Sequence, residues 1–547
     1  MAAAPYLLPI LLLLLRPAAT LTGHAPPPSH PPPPPPPPPT QKIRVWPKPA
    51  SISWPSSVYA PLSPSFSIRA SPSHPSLRHA IAFYTRLIKS ERHLPLVPPS
   101  NYTLSLVPIR LLALSVSDLH IPLGPGVDES YTLSVAANSP SADISAATPW
   151  GAIRALETFS QLALAGVGPA AGGQPMSFPI LLPSVPNLAN AGAYSPAMRY
   201  TVEDVRRIVR YAEAFGIRVI PEVDMPGHTG SWAGAYPEIV TCAGKFWAPA
   251  GKPALASEPC TGQLNPLNPK TYRVVQDVLR DLAAAFPDPY LHAGADEVNT
   301  ACWEDDPVVR RFLKDGGTHD RLLELFVNAT RPFLVHELNR TSVYWEDVLL
   351  GPKVSVRHEV LPRDTTVLQT WNNGADNTKR LVSAGYRVVV SSASYYYLDC
   401  GHGGWLGNDS RYDKQEKEQE GTPLFNDPGG TGGSWCAPFK TWQRIYDYDI
   451  LHGLTEDEAT LVLGGEVALW SEQSDAAVLD GRLWPRASAA AETLWSGNKG
   501  ASGRKRYANA TGRLNEWRYR MVGRGIRAEP LQPLWCPLHP RMCNLAQ

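Results

Sequence analysis

Two rhythms of apolar residues divide the chain. Over residues 43–163, helical and strand periods mix. Leu77, Ile81, Tyr84 and Leu87–Ile88 fall on one face of a helix over 76–92, while 109–116 and 131–136 alternate as strands do. Thr148-Pro-Trp-Gly then opens a helix through Leu162, with Pro149 in its first turn. This reads as a small α+β domain. From Tyr200 onward the text changes to a helix followed by a short apolar strand, repeatedly. Thr201–Phe215 is amphipathic, with Val202, Val205, Ile208, Val209 and Ala212 inward; Thr201 and Asp204 read as a capping box, and Gly216 as the stop. Strands are predicted at 218–224, 290–295, 342–348, 366–370, 387–391 and 460–468, and helices at 271–285, 321–338, after Asn377 and at 487–494. Such alternation predicts a parallel sheet and a barrel of the (β/α)8 type. The six strands fall short of the eight that close such a barrel, so an incomplete α/β barrel is expected.

The stretches between carry little period. Residues 1–25 hold an apolar run from Leu7 to Leu15 followed by small residues, which predicts a secretory signal; the run is too short to span a bilayer. Residues 26–42 contain unbroken proline from Pro31 to Pro39, a stiff spacer without a core. Residues 164–199 read as an irregular connection, rich in Gly, Ala and Pro up to Met176. The barrel is expected over 200–500, and a helix and tail over 501–547.

Composition narrows the function. Against 50 basic residues stand 49 acidic ones, without a long basic run, so neither nucleic acid nor an anionic membrane surface is an expected partner. Sequons at Asn101, Asn328, Asn339, Asn408 and Asn509 agree with export. Seven cysteines without a C-x-x-C pair argue against a zinc framework, and neither metal nor cofactor is expected. In an oxidising compartment Cys400–Cys436 and Cys536–Cys543 are candidate disulfides, and Cys302 has Cys242 or Cys260 as a partner, with one thiol left over.

The chemistry concentrates where strands end. Tyr290-Leu-His-Ala-Gly-Ala-Asp-Glu-Val298 is a buried strand that bends at Gly294 and presents Asp296 and Glu297. Two neighbouring carboxylates cannot both ionise cheaply in a partly dry pocket, so one is expected to hold its proton near neutral pH. A protonated acid beside an ionised one is the equipment for glycoside cleavage. Asp224 and His228 end the strand before it, and His228 is placed to partner the acid. Trp345, Trp371 and Trp470 fall at or near the carboxyl ends of three further strands, where barrels of this kind carry their sites.

In this order, P-G-H-x-x-S-W, H-x-G-x-D-E-V, Y-W-E-D, Y-L-D and G-G-E-x-x-x-W-x-E resemble the motifs of family 20 glycoside hydrolases, the β-N-acetylhexosaminidases, in their plant form. The resemblance covers the chain from residue 43 onward. It implies removal of terminal GlcNAc or GalNAc with retention, the acetamido oxygen of the substrate serving as nucleophile. It implies Glu297 as general acid and then base, with His228 hydrogen-bonded nearby, and Asp296 as the group that orients the acetamide and stabilises the oxazolinium ion. It further implies a hydrogen bond from Tyr397 to the acetamido oxygen, a wall of Trp345, Trp371 and Trp470 around the acetyl methyl, and contacts of Asp399 and Glu472 with outer hydroxyls. The expected partner is an N-glycan or chito-oligosaccharide, in the secretory pathway, cell wall or vacuole, and a homodimer stands among the expectations. One family stretch has no counterpart: the first barrel strand with its sugar-gripping arginine, the first helix, and the second strand with its His and Asp. Residues 162–176 stand in its place. That gap predicts severely reduced activity, or a sugar-binding protein without turnover.

Overall fold

The computed structural model describes residues 45, 47, 49–71, 74–91, 102–122, 127–164, 177–215, 217–249, 251–372, 374–405, 435–500, 502–539 and 542–543. The expected signal (1–25), the proline spacer (26–42), the Gly/Ala-rich part of the connection (165–176), Gly216, Asn101 and Asn408 lie outside them. The chain divides into two compact units, Met1–Ala170 and Ala171–Gln547.

In the first unit, β1 (Leu62–Ala70), β2 (Ile109–Val116), β3 (Tyr131–Val135) and β4 (Ser141–Ala146) form one sheet in the order β1-β2-β4-β3. Only the β3/β4 pair is antiparallel. Helices α1 (Pro75–Ser90) and α2 (Pro149–Leu162) cover one face. The buried residues of this unit include Phe66, Leu77, Leu112, Ile144, Leu156 and Phe159. Thr148 caps α2 by accepting from the Gly151 N–H, and Pro149 loses nothing at the first position, where its missing N–H has no helical partner.

The second unit is built on one parallel sheet. Its strands are β5 (Tyr290–His292), β6 (Thr341–Trp345), β7 (Thr366–Thr370), β8 (Arg387–Val390) and β9 (Val462–Gly465), in spatial order β9-β8-β7-β6-β5. All four pairings are parallel. Every residue of β7 is buried, as a strand covered on both faces requires. Helices α3 (Val202–Glu213), α4 (Pro269–Ala285), α5 (His319–Pro332), α6 (Gly374–Ser383) and α7 (Arg486–Ser496) accompany the strands, and α8 (Tyr507–Gly523) follows. The capping box of Thr201 and Asp204 is formed.

Five expectations need correction. Residues 218–224 run beside β5 but pair with it only at Glu222–His292. Pro221 has no N–H to donate, and no strand flanks the other side among the described residues. The strand expected over 460–468 narrows to Val462–Gly465, because Gly464 takes φ +149° and the register with β8 shifts. The helix expected over 321–338 is α-helical only to Pro332. A π-helical turn, Phe333–Glu337, follows, since Pro332 cannot complete the regular ladder. The connection 164–199 is not wholly irregular, for Pro186–Gly192 is a helix. Finally Ile208, read as inward, is exposed, together with Tyr211 and Phe215 on the same flank of α3.

The disulfides resolve the cysteine alternatives. Cys242 pairs with Cys302, Cys400 with Cys436 and Cys536 with Cys543, leaving Cys260 free. The first of these ties the segment after His228 to the helix that begins just beyond Glu297. Among the described residues, no helix is long and apolar enough to cross a membrane.

Candidate active site

The carboxyl end of β5 is a strained turn. Gly294 takes φ +68°, and a Cβ there would lie 1.9 Å from Asp224 Oδ1, so no larger residue fits. Ala295, Glu297 and His228 also have positive φ, at 73°, 50° and 48°. Left-handed backbone costs residues with a side chain energy that the surroundings must supply, and it clusters at sites. Here it turns Asp296 and Glu297 to the same side as His228. From His228 Nε2, Glu297 Oε2 is 3.3 Å away, Asp296 Oδ2 3.6 Å and Asp224 Oδ2 3.9 Å. Asp224 in turn accepts from the Ala295 N–H at 3.0 Å, which fixes the turn.

Four ionisable groups within contact distance must share their charges. Burial opposes a cation at His228. The charges of Asp224 and Asp296, with hydrogen bonds to Asp296 and Glu297, outweigh it and hold His228 protonated well above the usual histidine range. Burial also pushes Asp296 up, but the adjoining His228 cation and a hydrogen bond from Asp224 outweigh that and keep it an anion below the usual carboxylate range. Asp224, desolvated and beside that anion, is raised well above its ordinary value. The acid that is raised beside the Asp296 anion is thus Asp224, which lies outside the adjacent D-E pair from which the proton holder was expected. Among the described residues no donor meets the buried Asp296 Oδ1.

Aromatic rings stand on the neighbouring strand ends. Trp345 closes β6 and Trp371 follows β7 directly. The Trp345 and Trp470 centroids are 6.2 Å apart, Trp371 and Tyr397 lie parallel at 6.4 Å, and Tyr397 meets Trp470 at 6.1 Å. Each of two tryptophans is fixed through its indole N–H. Trp345 donates to Glu222 at 2.9 Å and Trp371 to Asp347 at 2.6 Å. Tyr397 is buried, and burial first, then the Asp296 charge, pushes its hydroxyl far above the ordinary phenol value, so it stays a donor. Asp399 accepts from the Trp470 backbone N–H at 3.4 Å. Glu472 is exposed, within electrostatic reach of Asp399. The nine sequence-selected residues thus gather as a carboxylate–histidine cluster, an aromatic cage and two acids beside it.

Three residues were not singled out by sequence. Trp435 stands T-shaped to Trp371 and Tyr397, with centroids 5.7 and 6.0 Å apart. Glu258 is raised to about 7 by burial and by the charges of Glu472 and Glu297, which places a third acid over the same cleft. Glu222 anchors Trp345 as above. Trp435 sits beside Cys436 and Glu258 two residues before Cys260, so cysteine flanks in aperiodic loops were the available signal.

Beneath the cage, burial raises Glu346 to about 8 and Asp347 to about 6. Both bind protons more tightly folded than unfolded, where carboxyls titrate near ~4. The stability linked to them is full below that value and is lost as pH rises through about 6 and about 8. Glu346→Gln is therefore expected to raise Tm at pH 8 by about 2 °C or more, and to change it little at pH 5, as calorimetry at both pH values would record.

Comparison with known proteins agrees with this geometry. The family model "Glycosyl hydrolase family 20, catalytic domain" matches residues 174–498, more than half of the chain, and "beta-acetyl hexosaminidase like" matches residues 45–162. Beta-hexosaminidase 1 of Coccidioides posadasii is 39% identical over 488 residues, spanning 79% of this chain and 81% of that protein. Beta-hexosaminidase subunit beta of Felis catus is 30% identical over 562 residues, spanning 90% and 93%. The solved GH20 β-N-acetylhexosaminidase of Streptomyces coelicolor A3(2) covers 90% of this chain and 98% of its own at 22% identity, with a TM-score of 0.48. The chain belongs to glycosyl hydrolase family 20 and is a β-hexosaminidase with an α/β barrel-type catalytic domain behind an N-terminal domain.

Proposed function

We propose that this chain removes terminal GlcNAc or GalNAc from glycans, using the acetamido oxygen of the substrate as nucleophile. The observation that carries the reading is the free acceptor Asp296 Oδ1, buried beside the aromatic cage. An acetamide N–H supplies the missing donor. Held there as an anion, Asp296 turns the acetamide oxygen toward the anomeric carbon and offsets the positive charge of the oxazolinium ion. Tyr397, a donor at all working pH values, hydrogen-bonds the acetamide oxygen, and Trp345, Trp371 and Trp470 enclose the methyl. Glu297 protonates the leaving oxygen and then takes a proton from the attacking water. His228 orients Glu297 and supplies the cation that keeps Asp296 ionised. Asp399 and Glu472 accept from ring hydroxyls. Incubation with a chito-oligosaccharide tests this: release of single GlcNAc units from the non-reducing end is expected, and internal cleavage would refute it.

We also infer that the barrel is open. Residues 218–224 and β9 each have one unpaired side among the described residues. The flank of α3 that a preceding helix would cover is bare, with Tyr211 71% and Phe215 66% exposed. Both facts fit the loss of the strand–helix–strand stretch that the sequence lacks between Leu162 and Ser177. Entry into the secretory pathway is part of the same reading, supported by three disulfides and by the exposure of Asn328, Asn339 and Asn509.

A further inference from the structure

Asp347 stands at the end of β6, the strand between β5 and β7. Its two carboxylate oxygens reach to opposite sides. Oδ1 accepts from the backbone N–H of Glu297 at 3.4 Å, and Oδ2 accepts from the Trp371 indole N–H at 2.6 Å. One side chain therefore touches the residue assigned to proton transfer and a wall of the acyl pocket. Glu297 holds its side chain from left-handed backbone at φ 50°, a conformation that needs an external restraint. Trp371 has rings on two sides, Tyr397 and Trp435, but its in-plane position is set by the N–H.

We propose that Asp347 is a positioning residue that fixes the spacing between Glu297 and Trp371, so that a single carboxylate couples proton transfer to the size of the N-acyl group accepted. The inference rests on the hydrolase reading above and adds a specificity determinant to it. Asp296, Glu297 and Glu346 are the titratable groups that face Asp347, and all are acids. The ionised form is thus held by its two donors against repulsion, and removal of the carboxylate frees both neighbours.

The test compares wild type, Asp347→Asn and Asp347→Ala on aryl 2-acetamido- and 2-propionamido-glucosides, with rates normalised to folded protein by thermal melting. The affinities of the acetyl and propionyl glucosamine thiazolines, measured by calorimetry, provide a readout without turnover. Asp347→Ala is expected to lower kcat about tenfold or more, the loss of a charge-assisted hydrogen bond, and to raise the propionyl-to-acetyl ratio in both rate and thiazoline affinity. Asp347→Asn keeps one oxygen for the indole N–H, so it should restore the ratio but not kcat. Because Asn is isosteric, the test survives if the alanine variant fails to fold. An unchanged acyl ratio in Asp347→Ala, or a full kcat in Asp347→Asn, would overturn the proposal. Wild-type protein that binds the thiazolines without turnover would fault the hydrolase reading instead, and the thiazoline ratio would still decide the role of Asp347.

Discussion

Glu297→Gln is expected to lower kcat on an aryl 2-acetamido-glucoside by about 10²–10⁴-fold, the usual contribution of a positioned general acid or base. Gln has the shape of Glu and still meets His228, which lies 3.3 Å from the wild-type carboxylate. KM should therefore change little, which separates loss of proton transfer from loss of the pocket. The loss should shrink as the leaving phenol becomes more acidic, because such a group departs without being protonated. Asp296→Asn has a different signature. It leaves proton transfer in place but removes the anion beside the developing cation, so good leaving groups do not rescue it. A leaving-group series on both variants distinguishes the two carboxylates by role.

On the open-barrel reading proposed above, inserting a strand–helix–strand between Leu162 and Ser177 is expected to raise kcat/KM. In the open barrel proposed above, the sugar-gripping arginine that the family resemblance implies has no counterpart among the motifs of the sequence. One charge-assisted hydrogen bond contributes about 1.5–3 kcal/mol, equivalent to about tenfold or more. The restored segment would also cover the exposed flank of Tyr211 and Phe215 and pair the free side of residues 218–224. Burial of that flank should raise Tm and reduce aggregation together with the gain in rate. Equal kcat/KM and equal melting for the two proteins would show that the present chain already forms a complete site.

Much of this site could be read from sequence because its residues sit at fixed positions relative to strands. The apolar runs of β5 to β7 are short and bounded, and the acids and tryptophans stand at or just beyond their carboxyl ends. What could not be read depends on partners distant in sequence. Glu222 lies in no motif and Asp347 lies in Y-W-E-D, yet neither position tells of its partner, Trp345 and Trp371, which are 123 and 24 residues away. Spacing along the chain carries no information about such bonds. The same holds for Cys302, whose choice of Cys242 over Cys260 is settled only when the loops fold. Ile208 failed for the opposite reason. Its position on α3 is inward by helical period, but burial needs a neighbouring element, and none covers that flank among the described residues.

The two carboxylates and the cage also explain why a 2-acetamido group should be needed. Asp296 offers its free oxygen to an N–H, and the rings Trp345, Trp371 and Trp470 offer apolar surface to a methyl, neither of which a plain glucoside provides. The most direct measurement is therefore the rate on an aryl 2-acetamido-2-deoxy-glucoside against that on the matching aryl glucoside, with one leaving group and one preparation. Hydrolysis of the acetamido sugar, with the glucoside slower by about 10³-fold or more, is the predicted result, since the intramolecular nucleophile would be missing. Comparable rates on both sugars would mean that Asp296 does not work through the acetamide, and would contradict the account.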